Sequence, residues 1–366
     1  MDPEAVDELC DRDSSRAAAS TAERGSAGRD RERAAAPGAG RLPHGGTGDP
    51  WTLDFRTIAN TEVPSGVAHV YEAGLSELKS YPADGYVEYR AAVADWLDCE
   101  ARDVVPTAGG VHAFRLTVAT TLTEGDTAVL PAPSFQEYAR EVRLQGAEPR
   151  FVPQADVVDV DPEEADLVVA AQPNVPVGTA YDPADLHGLA ARCRDRGATL
   201  LVDETLRAFT DYESLAVTDG VVVTSSLTEQ YGLPGMRVGF AAARGRHRDR
   251  LDAARNAWTL SSVAASVATH CLRAEGFLAD SRERVRRERE RMRERLALRY
   301  EVLPSEAPYL LLDLGSSEAV DEFIRTLREH DMSVRDARCF RGLDRHVRVT
   351  VRTREDNDRL LGAIGV

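Results

Sequence analysis

The sequence predicts an α/β fold in which a mostly parallel sheet is covered by helices on both faces, followed by a smaller C-terminal α+β domain. Short apolar runs typical of strands alternate with helical patterns up to about residue 245. This alternation favours a largely parallel sheet, because parallel strands need crossover helices that cover both faces. After residue 245 the sequence pattern changes, first to a long helical stretch and then to strands and helices together. This change predicts the second domain.

Three regions follow from this pattern. Residues 1–42 are rich in Ala, Arg, Gly, Asp, Glu and Ser and contain few large apolar residues. Such a segment cannot bury enough surface to offset its conformational entropy, so it is predicted to be a disordered tail. Residues 43–245 are predicted to form the large α/β domain, and residues 246–366 the linking helices and the small domain.

The candidate strands of the large domain are short and apolar. They are Ala128–Leu130, Pro149–Val152, Leu167–Ala171, Thr199–Val202, Val221–Thr224 and Val238–Ala242. One helix is defined at both ends, with Asp182 as N-cap, Pro183 in the first turn and Gly197 as the stop. Helices are predicted between most of the strands.

The C-terminal part begins with a helical region over residues 246–300. It ends in the charge-dense run SRERVRRERERMRERLAL, whose opposite charges three and four residues apart predict a solvated helix face. Strands are then predicted near Tyr309–Leu312 and Val347–Val351, with helices at about 316–329 and 355–364.

Composition excludes several classes of function. The formal net charge is −16 and Lys79 is the only lysine, so the acidic surface argues against nucleic-acid binding. It fits a high-salt cytoplasm, and a GC-rich genome that favours arginine over lysine is the alternative. The absence of a long apolar run or a signal-like N-terminus argues against a membrane protein or a secreted one. Five scattered cysteines without a CxxC pair are read as reduced thiols in the cytoplasm, and they form neither a zinc site nor another metal site.

Several distinctive segments follow predicted strands. A parallel sheet binds ligands beyond the carboxyl ends of its strands, so these segments are expected to lie close together. Gly109 and Gly110 precede a helix and suit a phosphate at its N-terminus. Asp203 ends the LLVDE strand, where its carboxylate is well placed to hold a ring nitrogen protonated. Three phosphate-recognising side chains occur in and beside the stretch SSLTEQYGLPGMRVGF at 225–240: Ser226, Thr228 and Arg237.

Taken in order, these segments resemble the fold-type I pyridoxal 5'-phosphate (PLP) enzymes of the class I/II aminotransferase group, from about residue 44 to the end. Two members are especially similar: histidinol-phosphate aminotransferase, a transferase, and threonine-phosphate decarboxylase, a lyase that makes aminopropanol phosphate for cobalamin biosynthesis. The decarboxylase is the closer match, through HGG at 44–46, SYPADGYVEYRAAVADWL at 80–97, APSFQEY at 132–138 and the run at 334–361.

The resemblance implies a role for each matching residue. Asp203 would pair with the pyridinium nitrogen, Arg348 would bind the substrate carboxylate, and Asn60 would lie near the substrate. The implied cofactor ligands are Gly109, Gly110, Phe135, Asp203, Ser226, Thr228, Arg237 and, from the neighbouring subunit of a homodimer, Tyr81. The implied substrate is a small phosphorylated amino acid or amine.

Three positions depart from the family pattern. Glu229 replaces the lysine that forms the Schiff base with the cofactor, so it is the candidate catalytic residue at that place, together with Asp203. Val175 replaces the asparagine, and Leu206 the tyrosine, that support the ring hydroxyl. A carboxylate cannot form an imine, although it can act as a general base.

Two hypotheses therefore stay open, and with them the question of whether the protein is an enzyme. In the first, it is a decarboxylase or related aminotransferase that works without the lysine, with Glu229 moving the proton. A variant of this hypothesis uses Lys79 of the neighbouring subunit, if residues 79–81 are extended. In the second, the protein is a non-catalytic paralogue that binds PLP or a phosphorylated amine, or that regulates an active homologue.

Overall fold

The computed structural model describes residues 51–366, together with residues 1, 2, 4 and 5. The rest of the predicted tail and the HGG segment at 44–46 lie outside the described residues. The strands are β1 Leu53–Asp54, β2 Val104–Thr107, β3 Thr127–Ala132, β4 Glu148–Pro153, β5 Leu167–Ala171, β6 Thr199–Asp203, β7 Val221–Ser226, β8 Gly239–Ala243, β9 Glu301–Val302, β10 Tyr309–Asp313, β11 Met332–Ser333, β12 Arg335–Asp336 and β13 His346–Thr350.

The α-helices lie between and after these strands. They are α1 Val67–Gly74, α2 Val87–Leu97, α3 Gly110–Thr121, α4 Gln136–Arg143, α5 Pro183–Arg196, α6 Gly245–Ala254, α7 Ser262–Leu272, α8 Phe277–Leu296, α9 Ser317–Glu329 and α10 Arg354–Ala363. No helix in the described part of the chain is both long enough and apolar enough to cross a membrane.

The large sheet has the strand order β2-β8-β7-β6-β5-β3-β4. Strands β3 to β7 pair in parallel, whereas β8 pairs antiparallel with both β7 and β2. Every residue of β5, β7 and β8 is buried, as expected for strands covered by helices on both faces. The predicted mostly parallel α/β fold is therefore confirmed, and β8 and β2 add an antiparallel junction at one side of the sheet.

Helix α5 has the predicted caps. The Asp182 side chain accepts a hydrogen bond from the Ala184 backbone N–H at 2.8 Å, and Pro183 occupies the first position. Gly197 ends the helix at φ 78°, a left-handed conformation that glycine adopts without steric cost. Leu186, Leu189 and Cys193 on its inner face pack into the core below the sheet.

A second sheet, with order β12-β13-β10-β9, is antiparallel and packs against α8, α9 and α10. The outer face of α8 carries the predicted charge pairs, for example Arg286 with Glu283 and Arg293 with Glu290. Strand β1 pairs with β11 and Phe55 is fully buried in this C-terminal core. This N-terminal piece therefore packs with the small domain, although the prediction assigned residues 43–245 to the large one.

Candidate functional site

A cavity of about 500 Å³ lies at the carboxyl ends of the parallel strands, between the large sheet and the C-terminal sheet. Ala171, Asp203 and Ser226 are the last residues of β5, β6 and β7, and all three line it. Arg335 and Arg348 reach it from the opposite sheet. The cavity is thus built where an open α/β sheet ordinarily binds its ligands.

One end of the cavity is suited to an anion. Gly109, at φ 94°, precedes α3, and a Cβ built on it would lie 2.5 Å from Nη2 of Arg237. A Cβ on Gly110 would lie 3.1 Å from Thr205 Oγ1 and 3.2 Å from the Ser226 backbone nitrogen. The two glycines therefore let the helix N-terminus approach a guanidinium and two hydroxyl side chains, which together favour a phosphate.

The middle of the cavity holds a hydrogen-bonded carboxylate. The Tyr138 hydroxyl donates to Asp203 Oδ2 at 2.5 Å, and the Thr205 backbone N–H donates to Oδ1 at 2.9 Å. Burial, together with the charge of Asp203, raises the pKa of Tyr138 well above its usual value, so the phenol stays a donor. These donors orient Asp203 towards the cavity, where Phe135 provides an aromatic wall.

Glu229 lines the cavity next to the anion-binding end. Its Oε2 accepts a hydrogen bond from the Thr228 hydroxyl at 3.0 Å, and Thr228 in turn lies 2.8 Å from the Ser226 hydroxyl. Glu229 is partly buried and lines the cavity. Burial therefore raises the pKa of Glu229, while hydrogen bonds from hydroxyl groups and the positive charge of Arg237 oppose this shift.

Arg348 reaches the cavity from the C-terminal sheet, and its side chain is only 5% exposed. Its Nη2 donates to the Arg56 carbonyl oxygen at 2.7 Å, and its guanidinium lies 5.1 Å from the centre of the Tyr309 ring. Among the described residues no carboxylate pairs with it, and its buried Nε has no hydrogen-bond partner. Burial lowers the pKa of Arg348 to about 10. An anionic ligand in the cavity would supply the missing acceptor.

The structure brings most, but not all, of the predicted site residues together. The predicted residues that line the cavity or contact its anion end are Gly109, Gly110, Phe135, Asp203, Ser226, Glu229, Arg237 and Arg348, and the departures Val175 and Leu206 line it too. Asn60, Thr228 and Tyr81 are not among the residues that line it.

Asn60 does not reach the cavity, because its amide is used elsewhere. Its Nδ2 donates to the Gln230 carbonyl and to Ser281, and its backbone N–H donates to the Glu229 carbonyl at 2.7 Å. It therefore positions the loop that carries Glu229, and its place near the substrate stays a prediction.

Thr228 and Tyr81 also make no direct contact with the cavity of their own chain. Thr228 is fully buried and acts through Ser226 and Glu229. Tyr81 is 79% exposed and stacks on Trp258 with ring centres 4.4 Å apart. Lys79 is exposed and ends a 3-10 helix over Leu75–Lys79, and the chain becomes extended at Ser80, so the role of Lys79 in a neighbouring subunit stays a prediction.

The lining residues that were not predicted from the sequence include Arg56, Tyr138, Thr205 and Arg335. Tyr138 stands in the quoted APSFQEY segment, and three positions after Phe135 on a helix is a neighbouring position, which is a usable signal. Thr205 follows the Asp203-Glu204 pair directly. Arg335 carries no such signal, since several other arginines lie near it in the chain, and nothing in the sequence around Arg56 marks it as a site residue. In the described part of the chain, no group of three His, Cys, Asp or Glu residues could hold a metal ion.

The comparison with known protein families agrees with this geometry. Residues 60–364 match the family described as aminotransferase class I and II, which is most of the chain. The chain belongs to the aminotransferase class I and II family. The strand order and the cavity at the strand ends are thus those of a family member, with a glutamate among the lining residues where the resemblance places a lysine.

Individual relatives are similar over most of their length. Histidinol-phosphate aminotransferase 2 of Archaeoglobus fulgidus is 27% identical over 308 residues, covering 81% of this chain and 87% of that protein. A protein of Caldanaerobacter subterraneus subsp. tengcongensis assigned as a threonine-phosphate decarboxylase is 28% identical, with coverage of 79% and 83%. The fold matches histidinol-phosphate aminotransferase of Sinorhizobium meliloti, solved in complex with pyridoxal 5'-phosphate, with a TM-score of 0.78, 18% identity and coverage of 85% and 89%.

Proposed function

We propose that this family member binds PLP without a covalent anchor and acts on a small phosphorylated amino acid, as a decarboxylase similar to threonine-phosphate decarboxylase. The observation that carries the proposal is the charge arrangement of one cavity. It joins an anion-binding end at Arg237 and a hydrogen-bonded carboxylate at Asp203 to the buried guanidinium of Arg348, which pairs with no carboxylate among the described residues.

The residues present fit the phosphate and the ring of PLP. The close approach of Gly109 and Arg237 leaves no room for a Cβ, so backbone amides, the guanidinium and Ser226 can converge on a phosphate. Asp203 would hold the pyridinium nitrogen protonated, with Tyr138 and Thr205 fixing its carboxylate. Phe135 would contact the ring face. The covalent attachment does not fit, because the single lysine of the chain, Lys79, does not line the cavity.

The opposite end of the cavity suits the substrate. Arg56, Arg335 and Arg348 line it together, so it carries enough positive charge for both the carboxylate and the phosphate of a phosphorylated amino acid. Arg348 is the choice for the carboxylate, since its buried Nε lacks an acceptor. This assignment supports the substrate class without identifying the amino acid.

Decarboxylation depends less than transamination on the lysine and the polar ring partners that this site lacks. When bound, PLP supplies an electron sink for the pair of electrons left at the substrate α-carbon. Arg348 orients the carboxylate that leaves, and the apolar side chains of Val175, Leu206 and Phe340 exclude water from the cavity. Burial keeps the Glu229 carboxyl protonated to a higher pH than usual, so it can deliver a proton to the α-carbon. The rate is expected to be modest, because such acid–base help is worth about 10²–10⁴-fold.

A non-catalytic paralogue is the second candidate, and specific side chains favour it. Val175, Leu206 and Glu229 leave the cavity without the amine and the polar partners that the resemblance expects around the ring hydroxyl. Such a protein would bind PLP or a phosphorylated amine and would regulate or accompany an active homologue. A second copy with an intact lysine in the same organism would favour this candidate.

We propose that the protein acts as a cytoplasmic homodimer. Exposed apolar side chains are concentrated in α1, the 3-10 helix that follows it and the start of α2, and Trp258 stacks on Tyr81 in this stretch; we infer that they form one apolar face: Tyr71, Leu75, Leu78, Tyr81, Val87 and Trp258. A second copy of the chain would cover this apolar face and bring Tyr81 near the neighbouring phosphate site. Cys99, Cys193, Cys271 and Cys339 are unpaired, in agreement with a reducing compartment.

The test combines binding with product analysis. Wild-type protein in high salt is titrated with PLP, then supplied with threonine phosphate, and carbon dioxide and aminopropanol phosphate are measured over hours. We expect binding and slow product formation, with about 10–100-fold weaker binding of PLP to Arg237→Ala. Arg325→Ala, on the exposed face of α9, serves as the matched control and should bind normally. Binding without product supports the paralogue, and no binding contradicts both candidates.

A further inference from the structure

Glu229 lines the cavity without an ion-pair partner in the described part of the chain. Three acidic side chains line the cavity: Glu137, Asp203 and Glu229. Arg140 lies 3.6 Å from Glu137. Asp203 and Glu229 form no ion pair with any residue between 51 and 366, but both oxygens of Asp203 accept hydrogen bonds from Tyr138 and Thr205. Hydroxyl groups support Glu229, and the charge of Arg237 acts on it without forming an ion pair. A partly enclosed carboxylate of this kind is stabilised most by a cationic group on a ligand.

The position of Glu229 is fixed by the loop after β7. The Glu229 carbonyl accepts the Asn60 backbone N–H at 2.7 Å, and the Thr228 hydroxyl holds Oε2 at 3.0 Å. Thr228 also connects the carboxylate to Ser226 at the anion-binding end. A ligand that fills both places must therefore carry a cationic group close to its phosphate-bearing ring.

The length of the side chain adds to this argument. A glutamate places its carboxylate oxygens one bond closer to the backbone than a lysine places its amine. An amine on the ligand can therefore take the place that a lysine nitrogen would fill, with an oxygen of Glu229 within hydrogen-bond reach. No lysine of this chain competes for that space, because Lys79 is exposed and does not line the cavity.

We propose that the cavity selects the amine form of the vitamin B6 cofactor, pyridoxamine 5'-phosphate, through an ion pair between its ammonium group and Glu229, an inference that rests on the proposed function. The ligand has a phosphate for Arg237, a ring nitrogen for Asp203 and an aminomethyl group for Glu229. Its primary amine is cationic at neutral pH, as a lysine is. The aldehyde form shares the phosphate and ring contacts and is the form that the proposed decarboxylation uses, but it offers Glu229 no charge and should therefore bind more weakly.

The experiment compares two ligands that differ at one group. Pyridoxamine 5'-phosphate and 4-deoxypyridoxine 5'-phosphate share the phosphate and the ring, but the second has a methyl group in place of the aminomethyl group. Both are titrated by calorimetry into full-length wild type, Glu229→Gln and Glu137→Gln. We expect wild type to bind the amine about 10–100-fold more tightly, the value of a charge-assisted hydrogen bond. Glu229→Gln should lose this preference and keep its affinity for the deoxy ligand, and Glu137→Gln should retain the preference.

Each outcome decides the inference. Equal affinity of the two ligands for wild type overturns it and leaves the proposed function intact, because the phosphate and ring are still recognised. A preference that survives Glu229→Gln, or that disappears in Glu137→Gln instead, also overturns it, since another group then binds the amine. Failure of both ligands to bind any of the three proteins overturns the inference and the proposed function together.

Discussion

Among single residues, Gly109 matters to the site because it has no side chain, just as other residues matter through the side chains they have. Gly109 combines a left-handed backbone conformation with a Cα that faces the Arg237 guanidinium. Gly125 has a similar φ of 85°, but a Cβ there would meet nothing within 4 Å. The two glycines thus share a backbone requirement and differ in what surrounds them.

We predict that Gly125→Ala costs about 1–2 kcal/mol of unfolding free energy and Gly109→Ala about 1–3 kcal/mol, because Gly109 combines φ 94° with ψ 171°, a region that residues with a side chain rarely adopt. Only Gly109→Ala should also weaken phosphate-ligand binding, since its Cβ displaces Arg237. Chemical denaturation and titration with 4-deoxypyridoxine 5'-phosphate measure the two effects. Equal binding by both variants would show that Gly109 has no part in the anion-binding end.

Glu229 should make the ligand-free protein sensitive to pH. Because burial raises its pKa in the folded state, the folded protein keeps a proton that the unfolded chain releases. Its contribution to stability is therefore full below the usual pKa of glutamate and is lost as the pH rises through the raised value. Glu229→Gln should match wild type near pH 4 and become the more stable protein at about pH 8.

Denaturation of both proteins across this pH range measures the difference. Other buried carboxyl groups with raised pKa values, such as Glu141 and Glu204, titrate equally in the two proteins and cancel. An advantage of the variant that is constant with pH would contradict the assigned environment of Glu229.

At the scale of elements, the strands and caps could be read from the sequence, while the contacts between elements could not. Leu167–Ala171 was predicted at its observed bounds, because a buried run between turn residues has few alternatives. The bounds of helix α5 were predicted from Pro183 in its first turn and Gly197 at its end. Strand β2 was not among the predicted strands, although the Val104-Val105 pair marked its start. The exposed segment at 75–79 became a 3-10 helix, for which the sequence carried no clear pattern.

The same limit applies to the site. Residues at strand ends, such as Asp203 and Ser226, could be placed because the fold sends all these ends to one edge. Arg56 and Arg335 come from elements whose position depends on how the C-terminal sheet packs against the large domain. No local sequence pattern predicts that packing. Asn60 matched a family loop residue only loosely, and in the structure its side chain bonds the Gln230 carbonyl and Ser281, contacts that the sequence did not indicate.

The loop after β7 should therefore depend on Asn60. We predict that Asn60→Ala costs about 1–3 kcal/mol of stability, because it leaves the Gln230 carbonyl without its donor and Arg284 without its acceptor. The loss should also weaken the preference for an amine ligand, since the Gln230 carbonyl next to Glu229 loses its side-chain donor, although the backbone N–H of residue 60 still bonds the Glu229 carbonyl. Denaturation and calorimetry with the two pyridoxine-type ligands measure both. Unchanged ligand preference would mean that the loop is held by its other contacts.

At the scale of the whole molecule, the apolar face around Leu78 needs a partner. We predict that the protein is a dimer in sedimentation experiments and that Leu78→Asp converts it to monomers, because a charge in such a face is costly to bury. Leu298→Asp is the matched control, since Leu298 is 77% exposed at the end of the α8 region, outside this face. A monomeric wild type, or a dimer that only Leu298→Asp disrupts, would contradict the assigned face.

A PLP site without a covalent anchor can be detected by native mass spectrometry. Full-length protein is mixed with equimolar PLP, measured in its native state, and measured again after borohydride reduction and denaturation. We expect one PLP per chain in the native spectrum and an unmodified chain after denaturation. A reduced adduct that maps to Lys79, or a native spectrum without PLP, would contradict it.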